Sequence, residues 1–472
     1  MRTAQKIYSS STSEDAESGR LAERLARLIE DDIASDNVPA GGVMGSLREL
    51  SERYSVGRAA AREGVALLER RGLGRLRPGP CGGFIVAQPE AEAIGSELAN
   101  YFRMMGVTRA QMADARDSVD MMAADLAAKK TPGDAHDAQL LPPKDGDSAV
   151  AWHLRTRSAL ADRSGEPVVR LFVHCLNDLT AQFAQGRESD WRGAATRRAG
   201  RLNEALAAGD TEAAMEQTQV LNRDLGDILC KDGGPLSLPP IKTSWQDGDR
   251  TLAALVARRI AAEVLRETSA GQRLGSEWDL CERFSVSRAT LRQAIRQLQD
   301  SGLVECRRGR GNGLVVRDLK GTGSIKLVLA FLIGHQMDPR AAGTILFQLN
   351  RFAPALAVAR ANPLQRRRLE ELLARAQRND PIDRYDLLRL VQCVSHLGDS
   401  PIIDLFSRCL AAFEARFHPF LAERLPVHMQ TEYFELLWLL QEKMEPGDES
   451  RLEWAKQQSS RVMLAMSRSR PI

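Results

Sequence analysis

Two pairs of arginines set the first question this chain poses. Arg58 and Arg62 stand four residues apart, and so do Arg288 and Arg292. At helical spacing each pair shares one face, one turn apart. An arginine fork can grip guanine O6 and N7, or a phosphate, with two parallel hydrogen bonds. Further candidates cluster with them: Arg48, Arg77 and Gly79 near the first pair, and Ser287, Thr290, Arg308, Gly309 and Arg310 near the second. Residues 56–80 hold six arginines against two glutamates, and residues 286–310 hold six against one aspartate and one glutamate. The 472 residues together carry only +3, so the chain outside these two windows is net negative. Positive charge confined to two short windows is the footprint of a nucleic-acid reader. A coat that binds DNA broadly would instead spread it over the surface.

The two windows belong to an internal repeat. Gly45 to Val86 reads GSLRELSERYSVGRAAAREGVALLERRGLGRLRPGPCGGFIV, and Gly275 to Val316 reads GSEWDLCERFSVSRATLRQAIRQLQDSGLVECRRGRGNGLVV. They align without a gap at an offset of 230, with 17 of 42 positions identical. In each copy a capping-box spacing, Ser46 with Glu49 and Ser276 with Asp279, starts a short helix. A turn at Tyr54–Gly57 or Phe284–Ser287 leads into a second helix. There Ala61, Val65 and Leu68, or Leu291, Ile295 and Leu298, recur at i, i+4, i+7. Gly72 and Gly302 stop these helices. Two short strand-like runs then follow, Leu73–Arg77 with Phe84–Val86 and Leu303–Arg307 with Leu314–Val316, joined by glycine-rich turns as hairpins. With an amphipathic helix upstream, about 18–35 and 250–267, each copy reads as a winged helix-turn-helix. Arg58/Arg62 and Arg288/Arg292 open the recognition helix, whose protruding N-terminus enters a major groove. The wing glycines allow the backbone to come close to DNA.

These residues resemble the winged helix-turn-helix of the GntR family of bacterial transcription regulators. The resemblance covers about 70 residues per copy and is most specific in VSRATLRQAIRQLQDSGL of the second. The first copy departs from the family pattern at Gly57 and Ala60, and the second at Trp278, where the first has Arg48. The resemblance implies a DNA-binding transcription regulator with double-stranded DNA as partner.

The segments after each wing are rich in Ala, Leu and Arg and read as helices broken by Pro and Gly. They repeat weakly: residues 163–167 match 397–401, and Gly209-Asp210 matches Gly447-Asp448. The fold class is therefore mainly α: two winged helix-turn-helix domains, each followed by an all-α helical bundle. The division runs 1–16 polar terminus, 17–89 first winged domain, 90–232 first helical domain, 233–248 linker, 249–318 second winged domain and 325–472 second helical domain. Residues 131–148 read as a mobile loop. The first helical segment resembles the FCD domain of the fatty-acid-responsive GntR branch through ALADRSGEPVVRLF (159–172) and LNEALAAGDTEAA (202–214).

That branch holds a divalent metal through one Asp and three His. Register places His153, Arg157, Ala199 and roughly Leu221, with Asn222 adjacent, there in the first half, and Leu387, Val391, Leu437 and Ser459 in the second. Three or four converging N/O ligands are needed, so no metal or other cofactor is expected. Arg116 and Arg157, with His153, are candidate contacts for a small-molecule anionic effector.

The chain shows no GxSxG, HExxH, P-loop or strand-to-helix GxGxxG motif, and an enzyme is not expected. The longest apolar runs fall short of the ~18 residues of a membrane span. Seven scattered cysteines, none in a CxxC, argue for a reducing compartment. The expected place is the cytoplasm, on the nucleoid. The sequence-specific reading predicts an imperfect palindromic operator with unequal half-sites, read by an intramolecular pseudo-dimer; its rival is a homodimer of tandem chains. The alternative function is an architectural protein that bridges DNA with broad specificity.

Overall fold

The computed structural model describes residues 20–79, 82–130, 140, 142–181, 191–230, 252–267, 271–300, 302–307, 313–317, 321–378, 384–418, 427–445 and 447–468. The order begins with α1 (20–35), where Ala22, Leu25, Ala26, Ile29 and Ile33 are all buried. Their three- and four-residue spacing makes one apolar stripe. Then come β1 (Val43–Gly45), α2 (Leu47–Arg53), α3 (Arg58–Arg70), β2 (Gly74–Arg77) and β3 (Gly83–Val86). Ser46 and Glu49 cap α2 reciprocally, as their spacing predicts. The stripe Ala61, Val65, Leu68 of α3 is buried. Gly72 ends the helix at φ +73°, and a Cβ there would press on Pro89 at 3.2 Å. The glycine is required by both backbone and space.

Among the described residues there follow α4 (Ala91–Met104), α5 (Arg109–Ala128), α6 (Ala149–Ser164), α7 (Pro167–Ala181), α8 (Arg192–Ala207) and α9 (Thr211–Cys230). The winged pattern then returns as α10 (Leu252–Glu267), β4 (Arg273–Gly275), α11 (Glu277–Phe284), α12 (Arg288–Asp300), β5 (Val304–Cys306) and β6 (Leu314–Val316). The chain finishes with α13 (Thr322–Gly334), α14 (Pro339–Leu349), α15 (Ala353–Arg360), α16 (Pro363–Arg378), α17 (Arg384–Leu397), α18 (Pro401–Phe417), α19 (Val427–Lys443), a 3-10 turn (Glu449–Arg451) and α20 (Leu452–Arg468). The architecture is mainly α, two winged helix-turn-helix domains each followed by helices. Among the described residues no helix is long and apolar enough to cross a membrane.

Each wing differs from the hairpin read in the sequence. It is a three-stranded antiparallel sheet, ordered β1-β3-β2 and β4-β6-β5. The added strands, β1 and β4, are three residues long with a register shift before their glycine. That is too short for an alternating pattern to show.

The chain divides into two compact units. One joins 1–97 with 241–337, and the other joins 98–240 with 338–472. The first therefore holds both winged domains and α13. Lys326 of α13 pairs with Glu23 of α1 at 3.0 Å, and Gln336 donates to the Asn37 carbonyl at 2.8 Å. Arg71, fully buried, is held by Glu30 at 2.7 Å and Glu23 at 3.0 Å.

The second unit holds the helices of both halves around α5. Besides its apolar stripe Met112, Ala115, Val119 and Met122, α5 buries Asp114, Arg116, Asp120 and Asp125. Buried charge needs partners, and several come from the other half of the chain. Arg360 pairs with Asp114 at 2.5 Å, Lys456 reaches it at 3.3 Å, and Gln348 donates to Asp125 at 2.9 Å. Between them lies an aromatic core. Phe172 and Phe406 stack at 3.8 Å between centroids and 6° between planes, and Phe102 meets Phe406 edge-on at 5.7 Å.

Candidate nucleic-acid interface

The N-terminal ends of α2 and α3 carry the first set of arginines. Arg58 and Arg62 are both exposed at the start of α3, and among the described residues neither is paired with a carboxylate. The cap ahead of them is Gly57, which supplies no side-chain hydrogen bond. That leaves the first-turn amides, with their partial positive charge, turned outward for an anion. Arg48 on α2 keeps a side chain 78% exposed while bonding Glu52 one turn on at 2.8 Å. Arg77 ends β2, exposed, and Gly79 beyond it adopts φ +113° with open space on the side where a Cβ would project. Arg48, Arg58, Arg62, Arg77 and Gly79 are thus all presented to solvent.

The second copy uses the same scaffold differently. Ser287 accepts from the Thr290 amide at 3.2 Å, and the two hydroxyls lie 2.9 Å apart, so α12 has the side-chain cap that α3 lacks. Arg288 is exposed, and its guanidinium carbon sits 5.4 Å from the centroid of the Trp278 ring. Arg292 is half-buried, its Nε bonded to Glu277 at 2.5 Å. The two arginines therefore do not stand alike: Arg288 is displayed against an indole, whereas Arg292 is tied back to α11. Arg308, Gly309 and Arg310 lie outside the described residues. Arg296 of α12 pairs with Glu63 of α3 at 3.0 Å, joining the two recognition helices.

Sequence reasoning missed Glu277 and the Glu63–Arg296 pair. A signal for the first was present: where the second copy has Glu277 and Trp278, the register puts Leu47 and Arg48 in the first. A carboxylate replacing an apolar residue one helix away from an arginine is a candidate partner for it.

The three candidate effector contacts all lie buried inside the second unit. Arg157 grips Asp120 through Nε at 2.7 Å and Nη2 at 3.0 Å, and its Nη1 bonds Asn177 at 2.5 Å. Arg116 reaches the Asn222 carbonyl at 3.5 Å. Burial, helped by Arg116, Arg157 and Arg198, pushes the pKa of His153 down to about 3. The fork of Arg157 is thus already filled by a carboxylate of its own chain. The metal set of the fatty-acid-responsive branch does not fit these positions: Ala199 and Leu221 are buried without a donor atom, and Arg157 brings a cation. Among the described residues no group of three His, Cys, Asp or Glu is placed to hold a metal.

Residues 252–313 match the family model described as "Bacterial regulatory proteins, gntR family". The chain carries a GntR-type helix-turn-helix. Its relatives include a putative HTH-type transcriptional regulator, RmpR, of Mycobacterium gastri, 44% identical over 63 residues, which are 13% of this chain and 23% of that protein. An uncharacterized HTH-type transcriptional regulator of Mycobacterium tuberculosis, Rv0494, is 31% identical over 136 residues, 28% of this chain and 55% of that one. The chain thus spans about a quarter and about half of the length of these curated relatives. Among solved structures, Streptococcus agalactiae GntR aligns over 46% of this chain and all of its own, at 19% identity and a TM-score of 0.33. The GntR-type match falls on the second winged domain, where α12 carries Arg288, Thr290 and Arg292 behind its cap Ser287.

Proposed function

We propose that the chain is a DNA-binding transcription regulator of the GntR type whose two winged domains read two related but unequal half-sites of one operator. The observation that carries this reading is the pair Arg58 and Arg62, exposed and, among the described residues, without a carboxylate partner, at a start of α3 with no side-chain cap. At the start of α12, within the GntR-type match, Arg288 is likewise exposed, with its guanidinium over the Trp278 ring. Arginine forks beside outward-turned helix amides suit guanine edges and phosphates. Arg48, Arg77 and Gly79 extend the same surface toward the backbone of the duplex.

The helical domains act in this reading as an intramolecular pseudo-dimer. The stacked Phe172–Phe406 pair and the Arg360–Asp114 bridge support it, since each joins helices of different halves. Ordinary regulators achieve two-fold symmetry by pairing identical chains, and their operators mirror it. Here the two readers differ, so the operator is an imperfect palindrome bound in one orientation. An anionic effector in the helical unit would have to displace Asp120 from Arg157, with Arg116 beside it.

The test is the mass of the complex on a minimal operator selected with the full chain. One chain per two half-sites is expected. Two chains protecting four half-sites would establish a homodimer of tandem chains instead. Equal affinity for operator and random duplex at one salt concentration would leave only an architectural role, because a regulator should separate them by roughly 10³ or more.

A further inference from the structure

The second winged domain carries an aromatic side chain where the first carries a charge. Trp278 is 64% exposed, an unusual condition for the largest apolar side chain. It is the second residue of α11, and the register sets it opposite Arg48 of α2. Two contacts fix where it stands. Arg288, at the first position of the recognition helix, lies over one face of its ring at 5.4 Å. Glu277, the residue before it, holds Arg292 one turn further along α12. Trp278 therefore belongs to the face on which α12 displays its N-terminal end.

The stacking has two consequences. The indole draws the Arg288 guanidinium into one orientation through the ring's negative face. A long side chain that is already oriented loses less conformational freedom when it binds. The exposed part of the indole then offers an apolar surface beside a cationic fork. In a major groove the matching apolar feature is the C5-methyl of thymine, which only one of the four bases carries.

We propose that Trp278 is a DNA-contact residue of the second winged domain, packing against a thymine methyl next to the base or phosphate held by Arg288. This rests on the DNA-binding reading above and makes it asymmetric. The first domain addresses its half-site with three exposed arginines, Arg48, Arg58 and Arg62. The second uses one arginine and one indole.

The experiment selects bound duplexes from a random pool with the full chain, then with Trp278→Ala and Trp278→Arg. The wild-type protein should enrich a two-part site with thymine at one position of one half. Both variants should lose that thymine preference and leave the other half unchanged. Replacing that thymine by deoxyuridine, which removes only the methyl, should weaken wild-type binding about five- to tenfold and Trp278→Ala binding hardly at all. Trp278→Arg should also steepen the salt dependence by up to one phosphate contact. Thermal melting of each variant should match the wild type, since the side chain is largely in solvent.

Deoxyuridine that leaves wild-type affinity unchanged, or variants that enrich the same motif as wild type, would overturn the assignment of Trp278. Enrichment of no sequence by the wild-type chain would overturn the sequence-specific reading on which the assignment rests.

Discussion

Phe406 is the side chain on which the pseudo-dimer can be tested most directly. It is fully buried in α18, stacked on Phe172 of α7 at 3.8 Å and met edge-on by Phe102 of α4 at 5.7 Å. Both partners come from the other half of the chain. Truncating a buried Phe to Ala costs about 3–5 kcal/mol through forfeited transfer energy and the cavity left behind. An aromatic pair adds about 0.5–1.5 kcal/mol of specific coupling. Phe406→Ala should then remove a large part of the ~5–15 kcal/mol that ordinarily holds a domain folded. Phe413→Ala is the control, since Phe413 is equally buried but its ring neighbour, Phe417, lies in the same helix. Urea unfolding of the full chain, followed by circular dichroism and tryptophan fluorescence, gives the free energies. A double-mutant cycle of Phe172→Ala with Phe406→Ala should show coupling of about 0.5–1.5 kcal/mol, and one of Phe172→Ala with Phe413→Ala nearly none. Additivity within ~0.3 kcal/mol for Phe172 and Phe406 would refute the packing of one half on the other.

Replacing Arg58 and Arg62 together by Ala should weaken operator binding by ~1–3 kcal/mol for each of the two that touches a base, read by gel shift at fixed salt; an unchanged curve removes α3 from the interface. Arg292→Ala should cost less than Arg288→Ala, because Glu277 already occupies the Arg292 fork; the reverse order would show that the bond opens on DNA. His153 has a folded pKa of about 3 against ~6.5 unfolded, so below pH ~6.5 the unfolded chain takes up the proton first and stability falls. The loss should reach roughly 2 kcal/mol at pH 5, and His153→Gln should flatten the stability profile between pH ~6.5 and ~4, which denaturation across pH measures. Elemental analysis of the purified protein should find less than one divalent metal per chain, and a chelator should leave Tm unchanged; a stoichiometric tightly held metal would contradict the register drawn through Ala199 and Leu221.

The winged domains were legible because their information is local. Capping residues, an i, i+4, i+7 apolar stripe and a stop glycine all lie within about 30 residues, and repetition at a fixed offset supplied each mark with a second witness. Strands β1 and β4 escaped because three residues with a register shift have no period to detect. The interior of the helical unit was illegible for a different reason. The carboxylates Asp114, Asp120 and Asp125 of α5 read as solvated groups until their partners are known. Arg360, Gln348 and Lys456 lie more than 200 residues away. The arginine pairs were readable as residues, but their states were not. Nothing in the spacing of Arg288 and Arg292 distinguishes an arginine stacked on an indole from one bound to a carboxylate; the residues at 277 and 278 decide that.

Duplication within one chain permits a divergence that pairing of identical chains forbids. In a symmetric dimer every substitution appears in both readers, so a Glu or Trp introduced on the first helix of the motif would alter both half-sites at once. Here Leu47 and Arg48 stand in one copy and Glu277 and Trp278 in the other. The Glu63–Arg296 ion pair between the recognition helices is lopsided for the same reason. Glu63 meets Arg296, while the positions equivalent to them by register are Gln293 and Ala66, which cannot form the reciprocal bridge. The two recognition helices are therefore joined by a contact that the repeat does not mirror. On the proposed reading, such a protein has a defined left and right, and a symmetric operator leaves one of its halves mismatched.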